Sequence, residues 1–140
     1  MAAFETRQKV MFQHCDPAGI VFYPRYVEMI NAVVEEWFEC GLDLPFSELV
    51  VERGEGVPTA HLEVSFKAPS RLGEELLLSL AVTKLGSSSV ICTVDALCRD
   101  ELRFTSSVTL VHIDGKRMKS EPWPADLRAR IQSYISQPAA

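Results

Sequence analysis

Between Tyr26 and Phe38 the residues Tyr26, Met29, Ile30, Val33, Val34, Trp37 and Phe38 recur at i, i+3, i+4, i+7 and i+8 without a break. Arg25, Glu28, Glu35, Glu36 and Glu39 fill the other face. This period predicts an amphipathic helix of about four turns, ending at Gly41 with a positive-φ residue. Its apolar face is wide and rich in aromatic side chains, so it must be covered by a sheet. Burial at roughly 25 cal/mol per Å² makes it one of the larger stabilising contributions in the chain.

The cover has to come from the strands that follow. One strand precedes the helix, from about Thr6 to Phe12, and a short helical turn from Phe46 to Arg53 lies between Pro45 and Gly54. From Val57 the period changes to two. Ala60, Leu62, Val64 and Phe66 alternate with polar residues, Leu76 to Val82 is nearly all apolar, Ser89 to Cys98 is rich in β-branched residues, and Phe104 to Ile113 alternates again before Asp114-Gly115. Gly86-Ser87-Ser88 and Arg99-Asp100-Glu101 read as hairpin connections. Pro122 and Pro124 bracket a turn before a polar C-terminal helix from Ala125 to Ile135, and Gln137 to Ala140 is expected to fray. Strand, long helix, then four consecutive strands is an α+β order. Its economical form is a curved antiparallel sheet wrapped around one helix, with residues 1–140 as a single domain.

Composition narrows the function. A net charge of -5 and a pI near 5.2 exclude the broad basic face that a nucleic-acid partner requires. An anionic small ligand remains open, held by a local group of cations or by backbone N–H groups. No apolar run reaches membrane-spanning length and the N-terminus lacks the layout of a signal peptide, so no membrane partner and a cytoplasmic location are expected. Cys15, Cys40, Cys92 and Cys98 show neither C-x-x-C spacing nor a Cys/His cluster; free thiols and no metal are expected.

The chemistry concentrates in His14-Cys15-Asp16-Pro17-Ala18-Gly19-Ile20-Val21-Phe22-Tyr23-Pro24. One acid stands beside a tight turn, and the turn leads into the N-terminus of the helix, where free N–H groups face outward. Carboxylate chemistry and an oxyanion site therefore fit within eight residues. The plainer alternative is that Asp16 only initiates an Asp-Pro turn. His14 could tune the acid, whereas His61 and His112 read as strand histidines, and Trp37 and Phe38 as core.

The run from Cys15 to Tyr26 resembles the signature of the 4-hydroxybenzoyl-CoA thioesterase family of hotdog-fold enzymes. Cys40-Gly41-Leu42 and Val50-Val51-Glu52-Arg53-Gly54 also resemble segments of its aromatic acyl-CoA members. The resemblance implies a hotdog fold and Asp16 as the catalytic carboxylate, attacking the thioester carbonyl or deprotonating water. It implies the Tyr23 backbone N–H as oxyanion donor, with Gly19 letting backbone approach the ligand. Asn31 stands where the family has an aspartate directed at a phenol hydroxyl; an amide cannot match a carboxylate's pull on a phenol proton, which leaves benzoyl, a differently substituted ring or a non-aromatic group open. Thr59 follows Pro58 where the family has a Thr-Pro pair, with the order reversed and one residue fewer; both Asn31 and Thr59 are expected to touch substrate. The family meets the coenzyme A phosphates with cations in a hairpin that here reads Lys84-Leu85-Gly86-Ser87-Ser88-Ser89; Lys84, Arg71, Arg99 and Arg103 are the available cations. Coenzyme A belongs to the substrate and no cofactor is implied. The resemblance further implies a homo-oligomer, dimer or homotetramer, with active sites at the dimer interface.

The expected activity is hydrolysis of an aromatic acyl-CoA, of the 4-hydroxybenzoyl or benzoyl kind. Alternatives are a short-chain aliphatic acyl-CoA or acyl-carrier-protein thioesterase and a hydratase on the same scaffold. A non-catalytic acyl-CoA-binding module is the alternative of another class.

Overall fold

The computed structural model describes residues 3–135. Strands β1 (Phe4–Lys9), β3 (Thr59–Phe66), β4 (Glu75–Leu85), β5 (Ser89–Cys98) and β6 (Glu101–Val111) form one antiparallel sheet in the order β1-β4-β5-β6-β3. Helix α1 (Tyr23–Glu36) lies against it and continues through a wider turn, Trp37–Gly41. Register places inward residues side by side: Leu80 faces Val94, Val94 faces Ser106, and Cys92 faces Val82 and Val108. The whole predicted helix face, Tyr26 to Phe38, is buried with them. Ser106 is a polar intruder in this layer, and its hydroxyl is satisfied by donating to the Val94 carbonyl at 2.7 Å.

Several expectations are corrected. The first strand runs Phe4–Lys9 and not to Phe12, because Phe12–His14 coils into a 3₁₀ turn closed by the Met11 N–H on His14 Nδ1 at 2.9 Å. Gly41 does not take positive φ. The helix ends in an i to i−5 bond from the Leu42 N–H to the Trp37 carbonyl, 2.8 Å, and Asp43 adopts φ 54°. Glycine is needed at 41 for a different reason: a Cβ there would lie 2.7 Å from Trp37 Cδ1 and 2.9 Å from the Tyr134 hydroxyl.

The second expected turn is present as Ser47–Glu52, and the last helix, α2, spans Ala125–Gln132 and stops short of Ile135, which bridges to Val82. A three-stranded sheet of β2 (Glu55–Gly56), β7 (Ile113–Asp114) and β8 (Lys119–Ser120) was not expected. Buried His112 joins it to the main body by contacting the Glu55 carboxylate, hydrogen-bonding the Glu121 carbonyl at 2.9 Å and stacking on Trp123. Residues 136–140, including the expected frayed end, lie outside the described residues. No helix among the described residues is long and apolar enough to cross a membrane.

Among the described residues strand β3 has a neighbour on one side only. Leu62 and Val64 are half-buried and Ala60 and Phe66 are exposed, so its alternating pattern is only partly covered within one copy of the chain.

Candidate active site

The turn between β1 and α1 is closed at both ends. Asp16 N–H donates to the Ile20 carbonyl at 3.0 Å, and Gly19 N–H to the Asp16 carbonyl at 3.0 Å. Asp16 Oδ1 accepts the Ala18 N–H at 2.9 Å, leaving Oδ2 without a protein partner among the described residues. One carboxylate oxygen thus builds the turn, as the plainer reading requires, and the other is left unpaired. Gly19 sits at φ 79°, a left-handed conformation that costs a residue with a Cβ roughly 1 to 2 kcal/mol. Asp16 and Gly19 line a cleft of about 520 Å³ with Phe12, Cys15, Pro17 and Leu72.

The turn is held from behind by the segment before β4. Val21 N–H donates to the Ser70 carbonyl (2.9 Å) and Leu72 N–H to the Gly19 carbonyl (3.1 Å). The Tyr26 hydroxyl reaches buried Ser70 Oγ at 2.7 Å. Phe22 N–H is bound to the His14 carbonyl, Arg25 N–H to the Phe22 carbonyl, and Pro24 has no N–H. That leaves the Tyr23 N–H, at the first helical position, without an acceptor among the described residues. It is an unpaired donor at the positive end of the helix, an environment that favours negative charge. The Tyr23 ring is exposed and packs edge-on against Phe22 and Phe66; Tyr23 and Phe66 line a groove with Ile20, Val21 and Tyr26.

His14 takes part in the turn: its Nδ1 accepts from the Met11 N–H, and burial, then nearby Arg25, hold its pKa below the ordinary value of 6.5. Cys92 lies in the core, where burial pushes its thiol up to about 12 and disfavours the thiolate. Among the described residues no group of three or more His, Cys, Asp or Glu is arranged to hold a metal ion.

Asn31 and Thr59 come together in a separate cavity of about 450 Å³, walled by Val27, Ile30 and Val34 of α1 and by Leu62 and Val108 of the sheet. Glu28 also lines it while its side chain stays 65% exposed, as expected of the polar helix face. The helical period could have found it, since Glu28 stands three residues before Asn31 and shares that side of the helix.

The four cations do not form one group. Lys84 is paired near Ile91 at the hairpin end of β5, whereas Arg99 lies beyond its other end, roughly 25 Å away at 3.3 Å per residue. Arg103 is corrected outright as a phosphate ligand. Only 6% exposed, it forks onto Glu74 with bonds of 2.7 and 3.1 Å, donates to the Pro69 carbonyl at 2.9 Å and lies beside Glu101. The Arg103 fork, then the Arg71 N–H, holds the Glu74 carboxyl at about 2. Arg71 and Arg99 stay exposed.

The model of the thioesterase-like superfamily matches residues 10–131. The chain is 32% identical to a 4-hydroxybenzoyl-CoA thioesterase of Pseudomonas sp. (strain CBS-3), over 86% of this chain and 91% of that protein. A thioesterase-superfamily structure from Jannaschia sp. CCS1 superposes with a TM-score of 0.89 at 27% identity, covering 96% of this chain and 94% of the other. A 1,4-dihydroxy-2-naphthoyl-CoA thioesterase from Synechocystis shares the fold, with a TM-score of 0.85 at 21% identity over 93% and 96% of the two chains. The acid-bearing turn, the free N–H at the helix start and the matched length converge: this chain belongs to the thioesterase-like superfamily and is a hotdog-fold thioester hydrolase acting on acyl-CoA.

Proposed function

We propose that the chain hydrolyses an aromatic acyl-CoA to the free acid and coenzyme A, with Asp16 as the catalytic carboxylate. The observation that carries this reading is the pairing of a free Asp16 Oδ2 with an unpartnered Tyr23 N–H on one short, rigidly hydrogen-bonded segment. The carboxylate attacks the thioester carbonyl or takes a proton from the attacking water, while the N–H receives the charge that builds on the carbonyl oxygen. Losing one such donor typically costs about 3 kcal/mol of activation free energy. Water is the second substrate and the reaction needs no cofactor. The aromatic assignment is supported by the 4-hydroxybenzoyl-CoA and 1,4-dihydroxy-2-naphthoyl-CoA relatives and by a largely apolar cavity of about 450 Å³.

The active enzyme is a homodimer built on the free edge of β3. Within one copy the Asn31 cavity and the Asp16 cleft share no lining residue. If β3 pairs antiparallel with itself about its midpoint, Thr59 of one copy stands opposite Phe66 of the second, and the Phe66 ring is 6.2 Å from that of Tyr23. The acyl cavity of one copy then meets the oxyanion donor of the other. The same pairing satisfies an open strand edge and covers the exposed Tyr23 and Phe66 rings. Of the four expected cations, Arg71 and Arg99 remain to meet the coenzyme phosphates at this end of the molecule.

Free-thiol release over aromatic and aliphatic acyl-CoAs tests the reading. Asp16→Asn is expected to lower kcat by about 10³-fold or more on the aromatic substrates. Full activity in Asp16→Asn refutes the site assignment, and no thiol release by the native protein from any thioester refutes the hydrolase reading.

A further inference from the structure

The acyl cavity combines apolar walls with three polar groups that the protein itself leaves available. Among the described residues neither the Asn31 amide nor the Thr59 hydroxyl has a protein partner. Glu28 Oε1 accepts from Arg25 Nη1 at 2.7 Å, and among the described residues its Oε2 has no hydrogen-bond partner. A plain hydrocarbon acyl group would desolvate these groups and return nothing, which is unfavourable. An acyl group carrying a hydroxyl would satisfy them. The deciding feature is the kind of group each one is. Asn31 and Thr59 both donate and accept, so neither one distinguishes a donor from an acceptor, whereas a carboxylate only accepts.

We infer that Glu28 is a specificity-determining residue that selects acyl groups bearing a hydroxyl donor on the ring and rejects those bearing a carboxylate there; this rests on the aromatic reading above. The ring lies between the apolar walls, and its hydroxyl donates to Glu28 Oε2, with Asn31 three residues on along α1 as the neighbouring polar contact. Arg25 has a supporting part. Its 2.7 Å bond fixes one carboxylate oxygen and so orients the other, and this matters because the Glu28 side chain is 65% exposed and otherwise free to turn away. A hydrogen bond to a charged partner at such a wet site is expected to change selectivity about tenfold.

The experiment compares kcat/KM for 4-hydroxybenzoyl-CoA and benzoyl-CoA in the native protein, Glu28→Gln, Arg25→Met and Glu35→Gln. Glu28→Gln is expected to lower the hydroxylated-to-plain ratio about tenfold. Glu35 is exposed on the same helix and does not line the cavity, so Glu35→Gln should leave the ratio unchanged. Arg25→Met keeps the acceptor and should lower the ratio less than Glu28→Gln does. A ratio in Glu28→Gln within about twofold of native overturns the inference. An Arg25→Met loss as large as that of Glu28→Gln overturns it too, because the ion pair and not the acceptor would then carry the effect. Equilibrium binding of 4-hydroxybenzoate against benzoate needs no turnover and separates the two failures. Preferential, Glu28-dependent binding supports the inference even if no thioester is cleaved, and equal binding of the two acids refutes it.

Discussion

Glu74 holds together the parts on which the Asp16 turn rests, and neutralising it should weaken both the fold and the site. Its side chain is 18% exposed; Oε1 accepts the Arg71 N–H at 2.6 Å and Arg103 Nη1 at 2.7 Å, and Oε2 accepts Arg103 Nη2 at 3.1 Å. The carboxyl is lowered from 4.5 to about 2, chiefly by the Arg103 fork. At 1.36 kcal/mol per pH unit this difference corresponds to about 3 kcal/mol of stability, in full only above pH 4.5. Because the folded value is the lower one, the unfolded chain takes up the proton first as pH falls, and the contribution drains away from 4.5 towards 2. By pH 3 about 2 kcal/mol of it should be gone. Glu74→Gln keeps an acceptor for Arg71 but leaves the Arg103 guanidinium buried without its anion, so a loss of ~3 kcal/mol at pH 7, or roughly 10 °C in Tm, is expected. Urea unfolding followed by tryptophan fluorescence reads this through buried Trp37 and Trp123. The gap between native and variant should be widest at pH 7 and narrow to about 1 kcal/mol at pH 3. A gap below about 0.5 kcal/mol at pH 7, or one that does not narrow in acid, would refute the argument.

Three further outcomes are expected. Gly41→Ala places a methyl 2.7 Å from Trp37 Cδ1 in a fully buried ring environment and should cost about 1 to 3 kcal/mol, read as a lower Tm. If each site takes Asp16 from one copy and its acyl cavity from the other, then inactive Asp16→Asn mixed and refolded with a cavity-blocking Asn31→Trp variant should recover activity; sites confined to single copies would give none. His14 is held below 6.5 by burial and then by Arg25, and its Nδ1 is already an acceptor, so the folded protein resists protonation there. Stability should therefore decline as pH falls below 6.5, and a His14→Asn variant should lose that part of the pH dependence in unfolding titrations.

The long helix was legible because its cause is local: seven apolar side chains at helical period leave one stable arrangement, and Tyr26 to Phe38 is buried as that period requires. The Asp16 turn was legible for the same reason, since Asp-Pro and a left-handed glycine act over four residues. Where a residue's task depends on a distant partner, the chain order carries no such signal. Gly41 looked like a terminator and is instead a gap left for the Trp37 and Tyr134 rings. Arg103 looked like a surface cation, yet Glu74, which it reaches across 29 positions, takes its charge. Glu28 is exposed, as its helical position requires, yet the fold puts it and Thr59 on the lining of one cavity. Local spacing specifies helix, turn and acid, whereas packing between remote segments decides which charges are spent inside the protein and which remain for a ligand.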